Sequence, residues 1–309
     1  MLDMLDIFGH EEDKTHLIVD ISGYLHQKFY TAEKDEKFTD NESTFNYWRY
    51  LILTELAILH KKYNPNNVFI CCDRNSWRSD HFEYYKAKRK AKRNEHPEKF
   101  EELFKQASLF EEELETVFKY NILQCKGAEG DDGVGFLVHE LPKEDTKIIV
   151  SMDKDMVQLL SIPNTIFFNI HHLKKCEEYC ENPEIALQKL IINGDSSDGI
   201  PNMKSDSDTF VNEEKRQKSC GEKTIEKMFI AGFDEILKEN VTWRKNYKRN
   251  EKLIVLDEKN IPVKVWNGLK KCFDGFTYSN CKAIELGTYF NNHDIMGLME
   301  VVNNFIRNN

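Results

Sequence analysis

Short β-rich runs that end on acids constrain this chain more than any other feature. His16-Leu17-Ile18-Val19 stops at Asp20, and Asn67-Val68-Phe69-Ile70-Cys71-Cys72 stops at Asp73. Lys147-Ile148-Ile149-Val150-Ser151 leads into Asp153, with Asp155 just beyond. Thr165-Ile166-Phe167-Phe168 is a fourth run and Asn121-Ile122-Leu123-Gln124-Cys125 a weaker fifth. Such runs alternating with helical stretches predict an α/β fold, a mostly parallel sheet covered by helices. Between the first two lies a helix with Phe45, Trp48, Ile52, Leu56 and Leu59 on one side. Asn41, Ser43 or Thr44 is expected to cap it.

In an open parallel sheet the carboxyl ends of the strands share one edge, where ligands bind. Three strands therefore deliver acids to the same edge. Glu129-Gly130-Asp131-Asp132 opens another helix and adds three more, and Asn193-Gly194-Asp195-Ser196-Ser197-Asp198-Gly199-Ile200-Pro201 adds Asp195 and Asp198. Any one such aspartate is ordinarily a turn or cap residue. The set is different, because like charges ~4 Å apart repel by roughly 1 to 4 kcal/mol per pair. Divalent cations would relieve that repulsion, and all-oxygen ligands without histidine favour Mg²⁺ or Mn²⁺ over zinc. Two such ions ~3.5–4 Å apart suit phosphodiester hydrolysis.

The net charge of −10 argues naively against a nucleic-acid partner. Charge is local, however. Six of the eight residues from Lys86 to Arg93 are basic, which predicts a solvent-standing helix with no apolar stripe. Such a run is often only a solvated face, yet it closely follows Asp73. Read as function, it steers phosphates, with Tyr84 or Tyr85 stacking on a base. A second helix, roughly 98 to 120, follows the break at Pro97. No stretch approaches the ~18 apolar residues of a membrane helix. The acidic N-terminus is unlike a signal peptide, and the 8 cysteines read as reduced thiols.

In this order the motifs resemble the 5′-nuclease (flap endonuclease) superfamily, and most closely the T-even-phage type of ribonuclease H / 5′→3′ exonuclease. The matching stretches are Leu17 to Asp20; Cys72-Asp73 with Trp77-Arg78 and Tyr84-Tyr85-Lys86; Glu129 to Asp132; Ser151 to Asp155; and Gly194 to Pro201, the most specific. The resemblance covers residues 17 to about 230. It implies a PIN-like core over 1–183, with a helical arch over about 74–120. A C-terminal helical region, 184–309, would grip duplex DNA through a helix-turn-helix variant. It further implies a first metal site of Asp20, Asp73, Glu129 and Asp131, and a second of Asp153, Asp155, Asp195 and Asp198, with Asp132 close by. Lys86 would reach the scissile phosphate, helped by Arg78 and Arg89. Tyr85, Lys88, Lys90, Lys223 and Thr224 complete the expected nucleic-acid contacts.

Two departures stand out. Gly130 and Gly199 replace the common Ala and Asn, which reads as minor. Pro201 to Ser219 intervenes before Cys220-Gly221-Glu222-Lys223-Thr224. That length and polarity predict a mobile loop and put in doubt the tight loop that holds K⁺ in some relatives. Lys223 and its helix N-terminus can still meet a phosphate.

Residues 1–9 pair apolar with acidic residues and end in Ile7-Phe8-Gly9, resembling peptides that hold a sliding clamp; a frayed terminus is the plain alternative. His172, Cys176 and Cys180 recur every four residues, but the outer two would lie ~12 Å apart on a helix, too far for one ion. Cys71 and Cys72 read as small core residues. Trp243 and Trp266 read as core, and Lys245, Lys248, Arg249 and Lys252 as a solvated face.

The expected function is a Mg²⁺-dependent 5′→3′ exonuclease and ribonuclease H with flap cleavage, removing RNA primers during replication. The resemblance further implies a monomer in the cytoplasm (of the host, if phage-encoded) and a single-stranded-DNA-binding protein as partner. A PIN-type ribonuclease on single-stranded RNA and an inactive DNA-binding or clamp-tethered scaffold remain as alternatives.

Overall fold

The computed structural model describes residues 13–38, 40–170, 174–175 (backbone only) and 182–307. The expected clamp peptide at 1–9 and the His172, Cys176, Cys180 series lie outside the described residues. Six strands, β1 (Thr15–Asp20), β2 (Asn67–Cys71), β3 (Asn121–Leu123), β4 (Thr146–Ser151), β5 (Thr165–Asn169) and β6 (Lys174–Lys175), form one sheet in the order β3-β2-β1-β4-β5-β6. The first five run parallel, and β6 is antiparallel to β5. Strand order reverses at β1, flanked by β2 and β4, so the crevice of such a sheet falls beside Asp20.

The strand alternation sorts the core. Leu17 and Val19 join Val68, Ile70, Ile148 and Val150 on one face, and Ile18 joins Phe69, Cys71 and Ile149 on the other. Both faces are covered, which explains why the strands are apolar at nearly every position. The first face receives α1 (Ser22–Glu33), α2 (Asn41–Tyr63) and, beyond two short helices α3 (Arg78–His81) and α4 (Ala87–Asn94), the long α5 (Pro97–Thr116). Phe45, Trp48, Ile52, Leu56 and Leu59 of α2 are all buried there. Its cap is Asp40, whose carboxylate accepts from the Ser43 amide at 2.9 Å, one residue before the expected candidates. Pro97 opens α5, where its missing N–H costs nothing.

The second face receives α6 (Gly130–Glu140). After α7 (Pro183–Asn193) come α8 (Glu222–Ile230), α9 (Phe233–Glu239), α10 (Val241–Ile254), α11 (Val263–Asp274) and α12 (Ala283–Asn292). They do not form one separate lobe. The end of α10 and α11 pack on the second face, while α12 and the 3-10 helix Met296–Phe305 return to the first. Among the described residues, only a small cluster around Ile192, Met203, Ile225 and Met228 is a core of its own. Trp266 is buried on the second face as expected, and Trp243 packs at the edge of the small cluster.

The 201–219 segment corrects its expectation, being knit rather than loose. Asn202, Met203, Ser205 and Thr209 are buried. Asn202 Nδ2 donates to the Lys218 carbonyl at 2.7 Å and the Lys218 amide to Ser205 Oγ at 2.8 Å, closing the two ends together. Lys215 pairs with Asp206 and Asp208 at 3.1 and 2.7 Å. Polar composition led to the wrong expectation because these polar groups satisfy backbone rather than water. Among the described residues, no helix is long and apolar enough to cross a membrane.

Candidate active site

The acids gather at the carboxyl edge of the sheet. Asp20 ends β1, and its Oδ2 accepts from Ser151 Oγ, at the end of β4, at 2.8 Å. Asp73 lies two residues past β2 and accepts from the Gly130 amide, at the start of α6, at 2.7 Å. A β-carbon on Gly130 would stand 2.7 Å from Asp20 Oδ1 and 3.3 Å from Asp73 Oδ1. The glycine therefore leaves room for two carboxylates side by side.

Asp153 caps the 3-10 helix Lys154–Ser161, accepting from the Asp155 amide at 2.9 Å. Gly194, at φ +66°, turns the chain after α7; a side chain there would meet the Ile200 carbonyl at 2.3 Å. That turn presents Asp195, which accepts from the Ser197 amide at 2.8 Å, and Asp198. Asp131, Asp153, Asp155, Asp195 and Asp198 line one crevice with Arg78. Burial, with Asp73 and Asp153 nearby, pushes the Asp20 carboxyl up to about 7. Burial, Asp153 and Asp195 push Asp155 up to about 8. Asp131, Asp153 and Asp198 are raised too, chiefly by burial.

The chain's own cations also stand among these acids and relieve part of the repulsion. Arg78, 1% exposed, is not an open phosphate contact. It pairs with Glu129 at 2.9 Å, Asp131 at 3.2 Å and Asp132 at 2.9 Å, and its Nε donates to the Leu253 carbonyl at 2.7 Å. Asp132 is fully buried behind that pair and accepts from Trp77 Nε1 at 3.1 Å and the Glu129 amide at 2.9 Å. Its carboxylate, like that of Glu129, is already bonded within the protein. Tyr85, 1% exposed, is not open to stack on a base; its hydroxyl lies between the carboxylates of Glu129 at 2.7 Å and Asp198 at 2.8 Å, able to donate to one of them. Burial works against the Glu129 carboxylate, but Lys86 and Arg78 hold its pKa down to about 2.

Lys86 bonds Glu129 and stands 3.7 Å from Asp198, which Arg89 reaches at 3.0 Å. Lys86 adopts φ +53°, an uncommon conformation for a side-chain-bearing residue, fixed by its amide donating to the Asp198 carbonyl at 2.8 Å. α4 follows with no buried residue, as its composition requires. Lys88 and Lys90 point from it; Lys90 reaches Ser79 Oγ at 3.1 Å. Lys223 is exposed and Thr224 half-buried in the first turn of α8, and neither lines the crevice. Sequence reasoning missed Ser76, which donates to Glu129 at 2.8 Å, along with Ser151 and Trp77. Their only signal is adjacency to the acidic motifs.

Among the described residues, no three His, Cys, Asp or Glu side chains stand close enough, as posed, to hold an ion between them. The donor chemistry nonetheless fits hard divalent cations: every candidate is a carboxylate, Gly130 leaves space for two to converge, and burial with the neighbouring acids raises Asp20 and Asp155.

Two family profiles match. The 5′-3′ exonuclease N-terminal resolvase-like domain spans residues 15–186, and the T4 RNase H C-terminal domain spans 181–305. The chain is 31% identical over 201 residues to the 5′-3′ exonuclease of Buchnera aphidicola subsp. Schizaphis graminum, covering 62% of itself and 66% of that protein, just under two thirds. It is 26% identical over 235 residues to the ribonuclease H of Enterobacteria phage T4, covering 74% and 77%. A T5 5′-exonuclease structure with bound zinc superposes with a TM-score of 0.58 at 17% identity, over 84% of this chain and 98% of that one. A T5 flap endonuclease, in a pseudo-enzyme–product complex with DNA and metal ions, gives 0.55 at 16%, over 94% and 100%. At those identities the structures speak for the fold, a PIN-like nuclease fold.

Proposed function

Since this chain belongs to the 5′-3′ exonuclease family, we propose that it is a metal-dependent nuclease. It hydrolyses phosphodiesters from a 5′ end, acts on RNA–DNA hybrid and 5′ flaps, and removes RNA primers in DNA replication. The observation that carries this reading is the convergence of acids from separate chain segments on one sheet edge, with Lys86 and Arg89 bonded among them. The names of its relatives, a 5′-3′ exonuclease and a ribonuclease H, support it.

Two divalent ions, Mg²⁺ with Mn²⁺ as substitute, held by Asp20, Asp73, Glu129 and Asp131 and by Asp153, Asp155, Asp195 and Asp198, would supply charge stabilisation and a water ionised near neutral pH. The protein does the rest. Arg78, Tyr85, Ser76 and Asp132 fix the orientation of Glu129 and Asp131. Lys86 exchanges its carboxylate partners for the scissile phosphate and orients it. Lys88, Arg89 and Lys90 draw the anionic backbone to this edge despite the net charge of −10. Lys223 and the amides that open α8 hold a duplex phosphate.

Residues 1–9 tether the protein to a sliding clamp; deleting them abolishes clamp stimulation and spares basal cleavage. A single-stranded-DNA-binding protein as partner, a monomeric state and a cytoplasmic site complete the reading. One assay tests its core: 5′-labelled flapped duplex, RNA–DNA hybrid and free single-stranded RNA, offered with Mg²⁺ or EDTA to wild type and Asp73→Asn. Short 5′ products from the first two, lost with chelator or substitution, are expected. Cleavage of free RNA alone would favour a single-strand ribonuclease, and tight binding without products a scaffold.

A further inference from the structure

We propose that the 201–219 lobe is the second jaw that fixes the mouth of the basic arch, with Phe210 as its positioning residue, and that it thereby favours substrates carrying a single-stranded 5′ arm. The substrate half of this proposal rests on the nuclease reading above.

The lobe is itself immobilised. Asn246, Arg249 and Asn250 lie on one face of α10, three and four residues apart. Asn246 Nδ2 donates to the carbonyls of Met203 and Ser205 at 3.0 and 2.9 Å. Arg249 donates to Ser207 Oγ at 2.7 Å and to the Pro201 carbonyl at 2.9 Å, and Asn250 Nδ2 reaches the Ile191 and Pro201 carbonyls at 2.8 and 3.0 Å. The Arg249 guanidinium also lies 5.1 Å over the ring of Phe82, in the segment leading into the arch.

The first turn of α4 is then held from two sides. Lys86 and Arg89, three residues apart, face the acid crevice and bond Glu129 and Asp198. Lys88 lies about 100° away from Arg89 around the helix. Its ammonium sits 5.4 Å over the ring of Phe210, a half-buried residue of the lobe. Lys90, further along the helix, reaches Ser79 Oγ of α3 at 3.1 Å; the lobe closes the remaining side, that of Lys88. A recessed 5′ end has no strand beyond the acid edge for this turn to guide. A flap does, so it alone feels the loss of the second jaw.

The test compares Phe210→Leu, which keeps bulk without a π face, with Phe210→Tyr, which keeps the face. For Phe210→Leu we expect amide exchange over 86–94 to quicken about five-fold, and kcat on a 5′ flap to fall about five-fold with KM unchanged. Cleavage at a recessed 5′ end and the melting temperature stay as in wild type, and Phe210→Tyr restores both flap rate and exchange. Asn246→Ala, which removes two of the bonds by which α10 holds the lobe, shifts exchange over 86–94 in the same direction but by less. Equal losses on both substrates, equal behaviour of the Leu and Tyr variants, or unchanged exchange would overturn the proposal. Because exchange needs no substrate, a wild-type protein that cleaves nothing would overturn the nuclease reading and leave the lobe to be judged separately.

Discussion

The two ends of the same strands are built in opposite ways. At the amino ends, Asn67 on β2, His16 on β1 and Lys147 on β4 stand in one row across the sheet. His16 Nε2 bonds Asp145 at 2.7 Å while its Nδ1 meets the Asn67 amide at 3.2 Å, and the Lys14 amide donates to Asp145 at 3.0 Å. Lys147, fully buried, gives its ammonium to the carbonyls of Asp145 and Pro163 at 3.0 and 3.3 Å. Burial resists charge on Asp145, yet its bonds to Lys14 and His16 hold its pKa below the ordinary value. At the carboxyl ends the acids outnumber Arg78, Lys86 and Arg89, and Asp20 rises to about 7. One edge is closed on itself. The other is left short of positive charge, which is what a site that awaits cations and a phosphate requires.

The largest effect expected from this contrast is catalytic. Asp20→Asn or Asp73→Asn should lower Mg²⁺-supported cleavage by roughly 10³-fold, the several kcal/mol that such charge stabilisation contributes. Asp20→Asn should at the same time stabilise the chelated protein, by about 1 kcal/mol or more for each repulsive neighbour relieved. Asp145→Asn should do the reverse: lower stability with unchanged cleavage. Steady-state rates and denaturant midpoints measured in EDTA read both. A destabilised Asp20→Asn with normal cleavage would erase the contrast.

Next comes pH, where the edges carry opposite signs. A carboxyl raised in the fold is destabilising once the unfolded group ionises, so stability falls as pH rises from about 4 to the folded value. Asp20 alone accounts for about 4 kcal/mol by pH 8, and Asp155, at about 8, acts in the same sense. His16 is lowered by burial in spite of Asp145, so its contribution is intact above about pH 6.5 and lost as pH falls below that. The acids win by number. The chelated protein should lose stability from pH 4 to 8, and excess Mg²⁺ should recover more at pH 8 than at pH 6, as unfolding at each pH would measure. An equal gain at both values would mean that the crowded carboxyls are not where the ion acts.

A smaller effect isolates the closed edge. Lys147→Met leaves two or three carbonyls without their donor and should cost about 1 to 3 kcal/mol, with the flap and hybrid cleavage rates unchanged. A change in those rates would show that the two edges are coupled through β4.

Much of this was legible in sequence, and the exceptions share a cause. Apolar runs ending in Asp20, Asp73 and Asp153 announce both the sheet and its acidic edge, because strand burial is written in consecutive residues. Tyr85 was misread because an aromatic residue next to a basic run looks like surface, and Arg78 because the resemblance carries over a role but not its burial. Only the turn at α3 swings them inward onto Glu129. The 201–219 lobe was misread because composition counts polar groups but not their partners, here Asn246, Arg249 and Asn250 from far along the chain. The return of Leu286, Phe290 and Phe305 to the first sheet face is likewise a long-range fact that no local period encodes.

The smallest effect tests how finely the open edge is set. Gly130→Ala would place a β-carbon 2.7 Å from Asp20 Oδ1, the tip of a side chain that can rotate, and 3.2 Å from the Cys71 carbonyl oxygen, where the backbone must give by a few tenths of an ångström. The φ of Gly130 lies outside the left-handed region, so the backbone accepts alanine. Alanine is also the better helix former, by up to about 1 kcal/mol. The chelated protein should therefore be unchanged or slightly more stable, with Asp20 pushed from Asp73 and its pKa lowered from about 7 toward the ordinary carboxylate range. Cleavage should change by less than about three-fold, under 1 kcal/mol. NMR titration of the Asp20 carboxyl alongside the rate decides the matter. A rate loss beyond ten-fold with the Asp20 pKa unmoved would mean that the space above Gly130 is itself part of the site, and that the open edge is defined by a cavity as much as by its charges.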